Sequence, residues 1–376
     1  MRIAYVTPRY APLVGGVETH VQHLAEGAAG AGHEVEVLTQ AAGHEDAGSE
    51  RAGALTVRRF APALPSAHYA AAPGLGRHLL RARGARAYDL VHAHNYHALP
   101  ALAATLAEGR LVFTPHYHGT SDSPLRRALH RPYRRAGARI LRRAGRVICV
   151  SAREARLLER DFPWVAERVV VVPNGVDTAA IAAARPFEEQ RLVVLSAGRL
   201  EHYKNVAATV RAMTALDDRF VLRVTGEGPA RDQLQALVLE LGLADRVLLL
   251  GQVELSELHR WFATAAVYVT MSTIEAMPIT PLEVLSAGAR MVASDIDAHR
   301  EVARTTGAGV RLVAADCPPA ELAREIARAA ADPAAVARVP SWEEVVRQTL
   351  ELYAALPGRA GPVPRAPAPG LSGVAA

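Results

Sequence analysis

Short β-branched runs alternate along the chain with longer, amphipathic, alanine-rich stretches, the pattern of parallel sheets covered by helices. In the first half the apolar runs predict strands over 2–7, 34–39, 55–60, 89–93, 111–114, 147–150 and 169–172. Apolar residues spaced three and four apart predict helices over 17–29, 73–86, 97–107, 125–144 and 152–161. Together these make a doubly wound α/β domain over residues 1–175. Periodicity fades over 176–190, which reads as a linker, and then the alternation restarts. Strands over 192–197, 220–225, 247–250, 267–270, 291–293 and 310–313 alternate with helices over 205–215, 229–241, 255–263, 280–287 and 320–331. A second domain of the same kind therefore spans 191–340, followed by one more amphipathic segment, 341–356. Residues 357–376 are rich in Pro, Gly and Ala and have no periodic apolar face. They bury too little to offset the entropy of ordering and read as a disordered tail.

Composition narrows the class. A chain of 376 residues, 50% hydrophobic and 22% charged, suits two globular domains. No run approaches the ~18 apolar residues of a membrane span, and the N-terminus enters a strand directly instead of a signal-peptide pattern, so a cytoplasmic protein is expected. The two cysteines, Cys149 and Cys317, offer neither a disulfide framework nor a zinc-site spacing.

The net charge of +5 is unevenly spread: 123–153 contains no acid, while nine arginines fall between Arg126 and Arg146. A solvated basic helix is the favoured reading, because Pro132 and Gly137 are expected to interrupt the helix and its apolar side is thin. The alternative is a face for anionic lipid head groups, at about 1 kcal/mol per cation, giving weak membrane association. Nucleic acid fits poorly, since aromatics do not interleave with the arginines.

Candidate chemistry gathers at strand ends. SAGRLEHYKN (196–205) places Arg199 and Lys204 just past a buried strand, where cations can meet a diphosphate; each alone could be a solvated loop cation. STIEAMPITPLEVLSAG (272–288) places Glu275 in a loop and Glu283 early in the following helix. The helix start directs N–H groups at an anion, and an ionised glutamate can accept from two vicinal hydroxyls of a ribose. The structural alternatives are a turn cap for Glu275 and dipole complementation for Glu283. Gly15 and Gly16 follow the first strand and let backbone approach a phosphate or sugar closely, without completing a dinucleotide fingerprint; TGEGPA (225–230) is a lone, weak match. His92 and His94, with His116 and His118, cluster at two strand ends. A metal is discounted because no nearby acid completes a ligand set. His116 is the better functional candidate, and His118 a support for its loop.

These segments, in this order from IAYVTPRYAPLVGGVE through VVPNGVD to SWEEVVRQTLELY, resemble the family 4 glycosyltransferases, retaining enzymes of GT-B fold with two facing Rossmann-like domains. The resemblance implies that the last helix crosses back to brace the first domain. It assigns Arg199 and Lys204 to the donor diphosphate, Glu283 to the ribose hydroxyls and Glu275 to the transferred sugar. His116 would meet that sugar from the opposite domain, Gly15 and Gly16 would lie near diphosphate and acceptor, and Val253 against the base. No metal or other cofactor is expected. The chain departs from the family at Pro278, where glycine is usual and a donor contact through the backbone N–H is lost; Ile279 and Thr280 still offer theirs.

The implied partners are a nucleotide-diphosphate sugar, with UDP favoured over GDP, and a hydroxyl acceptor that is a sugar, a lipid-linked glycan or a small molecule. A nicotinamide oxidoreductase is disfavoured by the missing glycine fingerprint. A nucleotide-sugar epimerase of the same fold, or a degenerate nucleotide-sugar-binding protein, are the alternatives.

Overall fold

The computed structural model describes residues 1–13, 15–63, 71–85, 87–117, 119, 124–275, 277–307, 309–333 and 337–357, with the side chains of the helix that starts at 124 described from Tyr133 onward. The expectations for His118, for the tail beyond 357 and for the first arginines of the basic stretch fall outside these limits.

Two sheets carry the described chain. The first contains β1 (Arg2–Val6), β2 (Glu34–Gln40), β3 (Gly48–Ala52), β4 (Leu55–Phe60), β5 (Leu90–His94), β6 (Arg110–Thr114), β7 (Arg146–Cys149) and β8 (Val169–Val171), in the order β3-β4-β2-β1-β5-β6-β7-β8. All its neighbours run parallel except β3, which pairs antiparallel with β4. The second contains β9 (Leu192–Ala197), β10 (Phe220–Thr225), β11 (Val247–Gly251), β12 (Ala265–Thr270), β13 (Arg290–Ser294) and β14 (Val310–Val313), all parallel, in the order β11-β10-β9-β12-β13-β14.

In each sheet the chain winds outward to one side of a central strand, β1 or β9, and then crosses to the other. Each therefore has a switch point, between β1 and β5 and between β9 and β12. The carboxyl ends of the strands at such a point are where open α/β sheets bind ligands. Strands buried on both faces explain the near-continuous apolar runs: Ile3 to Val6 and Val193 to Leu195 are all fully buried or within 1% of it.

The helix Trp342–Ala355 leaves the second domain and packs on Gly16–Gly30 of the first. Its start is fixed by a capping box between Ser341 and Glu344. Gly27 makes the close crossing possible, since a Cβ there would stand 2.5 Å from Val346 Cγ2. Trp342 stacks on His23 at 4.4 Å, and Tyr353 is buried in the first domain, its hydroxyl 2.6 Å from His92 Nδ1 and 3.3 Å from that of Tyr5.

Several features differ from the sequence expectations, among them a short helix, Thr178–Ala183, inside the stretch read as a linker. The exposed, polar strand β3 lacks any apolar alternation to reveal it. A helix spans Asp297–Thr306, where the sequence reading placed no element. The basic helix runs unbroken over Pro124–Arg143, through Pro132 and Gly137. Gly137 is used for packing rather than for ending the helix, because the ring of Tyr96 fills the space a Cβ would need. Among the described residues no helix is long and apolar enough to cross a membrane.

Candidate active site

The site in the second sheet begins where β9 and β12 end. Gly198, at φ +135°, turns the chain after β9, and its carbonyl comes so close to Gly226 that no side chain fits at the latter. The two glycines thus let the turns after β9 and β10 nest, with Leu200 N–H donating to the Glu227 carbonyl at 2.9 Å. That nesting explains the glycines of TGEGPA without a dinucleotide. A small pocket results, lined by Gly198, Arg199, Lys204, Thr225, Tyr268 and Thr270 among others.

Lys204 and Glu275 meet at its edge, Nζ to Oε1 at 2.5 Å, with side chains 23% and 12% exposed. The loop after β12 is also tied by the Thr273 N–H, which donates to the Tyr203 carbonyl at 2.8 Å. Arg199 is more exposed; its guanidinium lies 3.6 Å from Glu201 and donates to the Tyr203 hydroxyl at 3.4 Å.

Pro278 caps the helix Ile279–Ser286 without an N–H of its own, leaving Ile279 and Thr280 as the first-turn amides that a helix cannot satisfy internally. The Ile279 side chain packs against the apolar clusters of both domains. Burial, reinforced by nearby Asp177, pushes the Glu283 carboxyl up to about 7. Val253 is partly buried just after β11, two strands from β9 and apart from the Lys204–Glu275 pair.

The first domain supplies the facing wall. Gly15 caps the helix Gly16–Gly30, and a side chain at Gly15 would run into the Glu18 carboxylate, which lies 3.2 Å from Arg9 Nε. His116 follows β6 at φ +48°, 7% exposed. His20, which sequence reasoning missed, projects from that first helix with its ring 5.3 Å from that of His116 and 5.5 Å from that of His94. Its position one turn after Gly16 is the signal that could have found it.

One ring nitrogen each of His20, His94 and His116 lies within 4.8 Å of the others, so a third imidazole, and not an acid, joins two of the strand-end histidines. Burial lowers His20 to about 4 and His94 well below its usual range, keeping both neutral. His92 is structural, bonded to Tyr353 and to Thr114 Oγ1.

The two walls are joined through residues the sequence did not single out. Asn174 Oδ1 is 2.9 Å from His20 Nδ1, and Asn174 Nδ2 donates to the Met277 carbonyl at 3.2 Å. Arg153 Nη1 donates to the Glu275 carbonyl at 3.2 Å. Glu301, from the helix the sequence reading missed, accepts from the N–H groups of Ala152 and Arg153. The pattern Ser151-x-x-Glu154 is a helix-start signature and was the available signal for this junction.

The family described as Glycosyltransferase Family 4 matches residues 14–180, and Glycosyl transferases group 1 matches 177–341. The phosphatidyl-myo-inositol mannosyltransferase of Mycobacterium tuberculosis is 30% identical over 396 aligned positions, covering 95% of this chain and 98% of that protein. Among solved structures, sucrose-phosphate synthase from Thermosynechococcus elongatus superposes with a TM-score of 0.76 at 23% identity, over 94% of this chain and 98% of that one. Anabaena HepE, crystallised with UDP-glucose, gives 0.72 at 20% identity, over 95% and 100%. At these identities the two structures speak for the fold.

Proposed function

The chain belongs to the family 4 glycosyltransferases of GT-B fold, and from that premise we propose that it transfers a sugar from a nucleotide-diphosphate donor, UDP-linked in preference to GDP-linked, to a hydroxyl acceptor with retention and without a metal. The observation that carries this reading is the Lys204–Glu275 pair, placed at the β9/β12 switch point on a loop that the first domain also grips. HepE binds UDP-glucose on the same fold, which supports a UDP donor.

In this reading the diphosphate takes the Lys204 ammonium away from Glu275 and adds Arg199, so that two cations neutralise the leaving group. The Ile279 and Thr280 amides and the helix start behind them add preorganised positive charge. Glu283 accepts from the ribose hydroxyls, and Val253 lies against the base. Glu275, released from Lys204, accepts from hydroxyls of the transferred sugar, while His116 meets the sugar from the first domain beside Gly15 and Gly16. The bond from the anomeric carbon to the diphosphate breaks as the acceptor oxygen bonds that carbon on the same face. The acceptor's proton passes to the departing phosphate oxygen, which retains the configuration.

The test is thermal shift with UDP, GDP, ADP and dTDP, followed by transfer assays with the matching sugar donors before and after chelation. UDP should raise the melting temperature most, Glu275→Ala should abolish turnover with the fold intact, and chelation should change nothing. No shift with any nucleotide would refute the donor site. An epimer formed from donor alone would replace transfer by epimerisation. Loss of turnover on chelation would bring the three-histidine cluster into the mechanism.

A further inference from the structure

The helix Ala152–Asp161 touches both candidate catalytic loops within its first three residues. Glu301, 7% exposed, reaches across from the second domain, with Oε2 accepting from the Arg153 N–H at 2.8 Å and Oε1 from the Ala152 N–H. These are first-turn amides with no partner inside the helix, and the positive end of the helix favours a carboxylate there. Arg153 turns toward the donor loop, donating to the Glu275 carbonyl, with Nε 3.5 Å from the Asp297 carboxylate. Glu154 turns the other way, 1% exposed: it accepts from the Tyr117 N–H at 2.6 Å and the Val150 N–H at 2.7 Å. Tyr117 directly follows His116, whose left-handed backbone needs such a hold, since a non-glycine residue visits that region at a cost.

Resting on the transfer reading above, we propose that Arg153 and Glu154 are positioning residues: when the domains close, Glu301 docks on this helix start and the helix fixes the Glu275 loop from one side and the His116 loop from the other. Separation of the domains would return the Ala152 and Arg153 amides and the Glu275 carbonyl to water. A carbonyl gripped by a guanidinium sets the orientation of its peptide plane, and with it the direction in which the Glu275 carboxylate enters the cleft. Asn174, bonded to both His20 and the Met277 carbonyl, steadies the far end of the same loop.

The experiment uses the full chain and the variants Arg153→Ala, Arg153→Lys and Arg153→Ala/Glu301→Ala. Arg153→Ala should lower kcat roughly tenfold to a hundredfold, as small misplacements of reacting groups do, while the Kd for UDP stays within about twofold. Arg153→Lys should recover part of the loss, because an ammonium can still donate to a carbonyl. An unchanged kcat, or a Kd that weakens in step with it, would overturn the positioning role. Small-angle scattering reads the latch without turnover. Free of nucleotide, the double variant should have a larger radius of gyration than the natural protein, and identical profiles would overturn the proposal. If the natural protein transfers no sugar, the functional reading fails, and the scattering comparison still decides the latch.

Discussion

Replacing Lys204 with alanine separates stability from function in a way the structure makes quantitative. The ammonium sits 2.5 Å from Glu275 Oε1 in a site where the carboxylate side chain is 12% exposed. Exposed ion pairs contribute up to about 1 kcal/mol, and breaking a fully buried pair costs about 3–5 kcal/mol because a charge is left unpaired. A pair at a cleft edge, which water can enter once Lys204 is gone, falls between, at about 1–3 kcal/mol. For a domain of this size each kcal/mol moves the melting temperature by about 2–4 °C. Lys204→Ala should therefore melt several degrees lower, and Lys204→Ala/Glu275→Ala should regain most of that loss, because no orphaned carboxylate remains. UDP binding should follow the opposite rule. It should weaken in Lys204→Ala and stay weak in the double variant, since the diphosphate loses its cation in both. A double-mutant cycle by thermal denaturation, with UDP titrated into all four proteins, measures both. A coupling below about 0.5 kcal/mol would refute the pair as a structural contact. Full UDP affinity in Lys204→Ala would refute its role at the diphosphate.

Two further predictions test the frame around the site. Gly175→Ala places a Cβ 2.8 Å from the Trp342 backbone, where overpacking costs about 1–3 kcal/mol; the melting temperature should fall by several degrees, whereas Gly30→Ala, which meets open space, should leave it unchanged or raise it. The second concerns pH. Burial first, opposed by the Tyr117 and Val150 amides and aided by nearby Glu301, raises Glu154 from 4.5 to about 7. Its folded form holds a proton that the unfolded form releases, so this contribution is complete below pH 4.5 and is lost as pH rises through about 7. By linkage the loss amounts to about 3 kcal/mol. The buried, lowered imidazoles of His20, His92 and His94 act the other way, favouring the folded state at higher pH. The reading is therefore the difference between the natural protein and Glu154→Gln: the natural protein should lose more stability from pH 5.5 to 8 than the variant, and equal losses would place the Glu154 carboxyl in its ordinary range.

What the sequence makes legible follows burial. Strands buried along most of their length announce themselves as apolar runs, so β9 and β10 are located to the residue. Strand β3 is fully exposed and carries no such run, and nothing in its composition separates it from a loop. The helix over Pro124–Arg143 shows the converse. Proline and glycine argue for a break, but the space at Gly137 is filled by Tyr96 from the turn after β5, and packing decides. Lys204 and Glu275 each follow a strand that the apolar runs announce, β9 and β12; their pairing is not legible, because they are 71 positions apart and meet only through the β9/β12 adjacency.

The interdomain ties are the least legible part, for a physical reason. A backbone carbonyl accepts from any donor, so no residue type at Glu275 or Met277 signals that Arg153 and Asn174 will reach them. This bears on Pro278, the departure from the family pattern in the loop between β12 and the helix Ile279–Ser286. Proline removes an amide that could have oriented the loop or the donor, yet the carbonyls of Glu275 and Met277 are both held by side chains of the first domain. The helix still begins at Ile279, whose side chain is packed between the two apolar clusters. The loop's shape is thus set from outside it, and substitution at 278 should act on the sugar contact alone. Pro278→Gly restores the amide without touching any of these ties. It should change which donor sugars are used while leaving UDP affinity as it was, and a parallel change in both would mean that Pro278 shapes the diphosphate end as well.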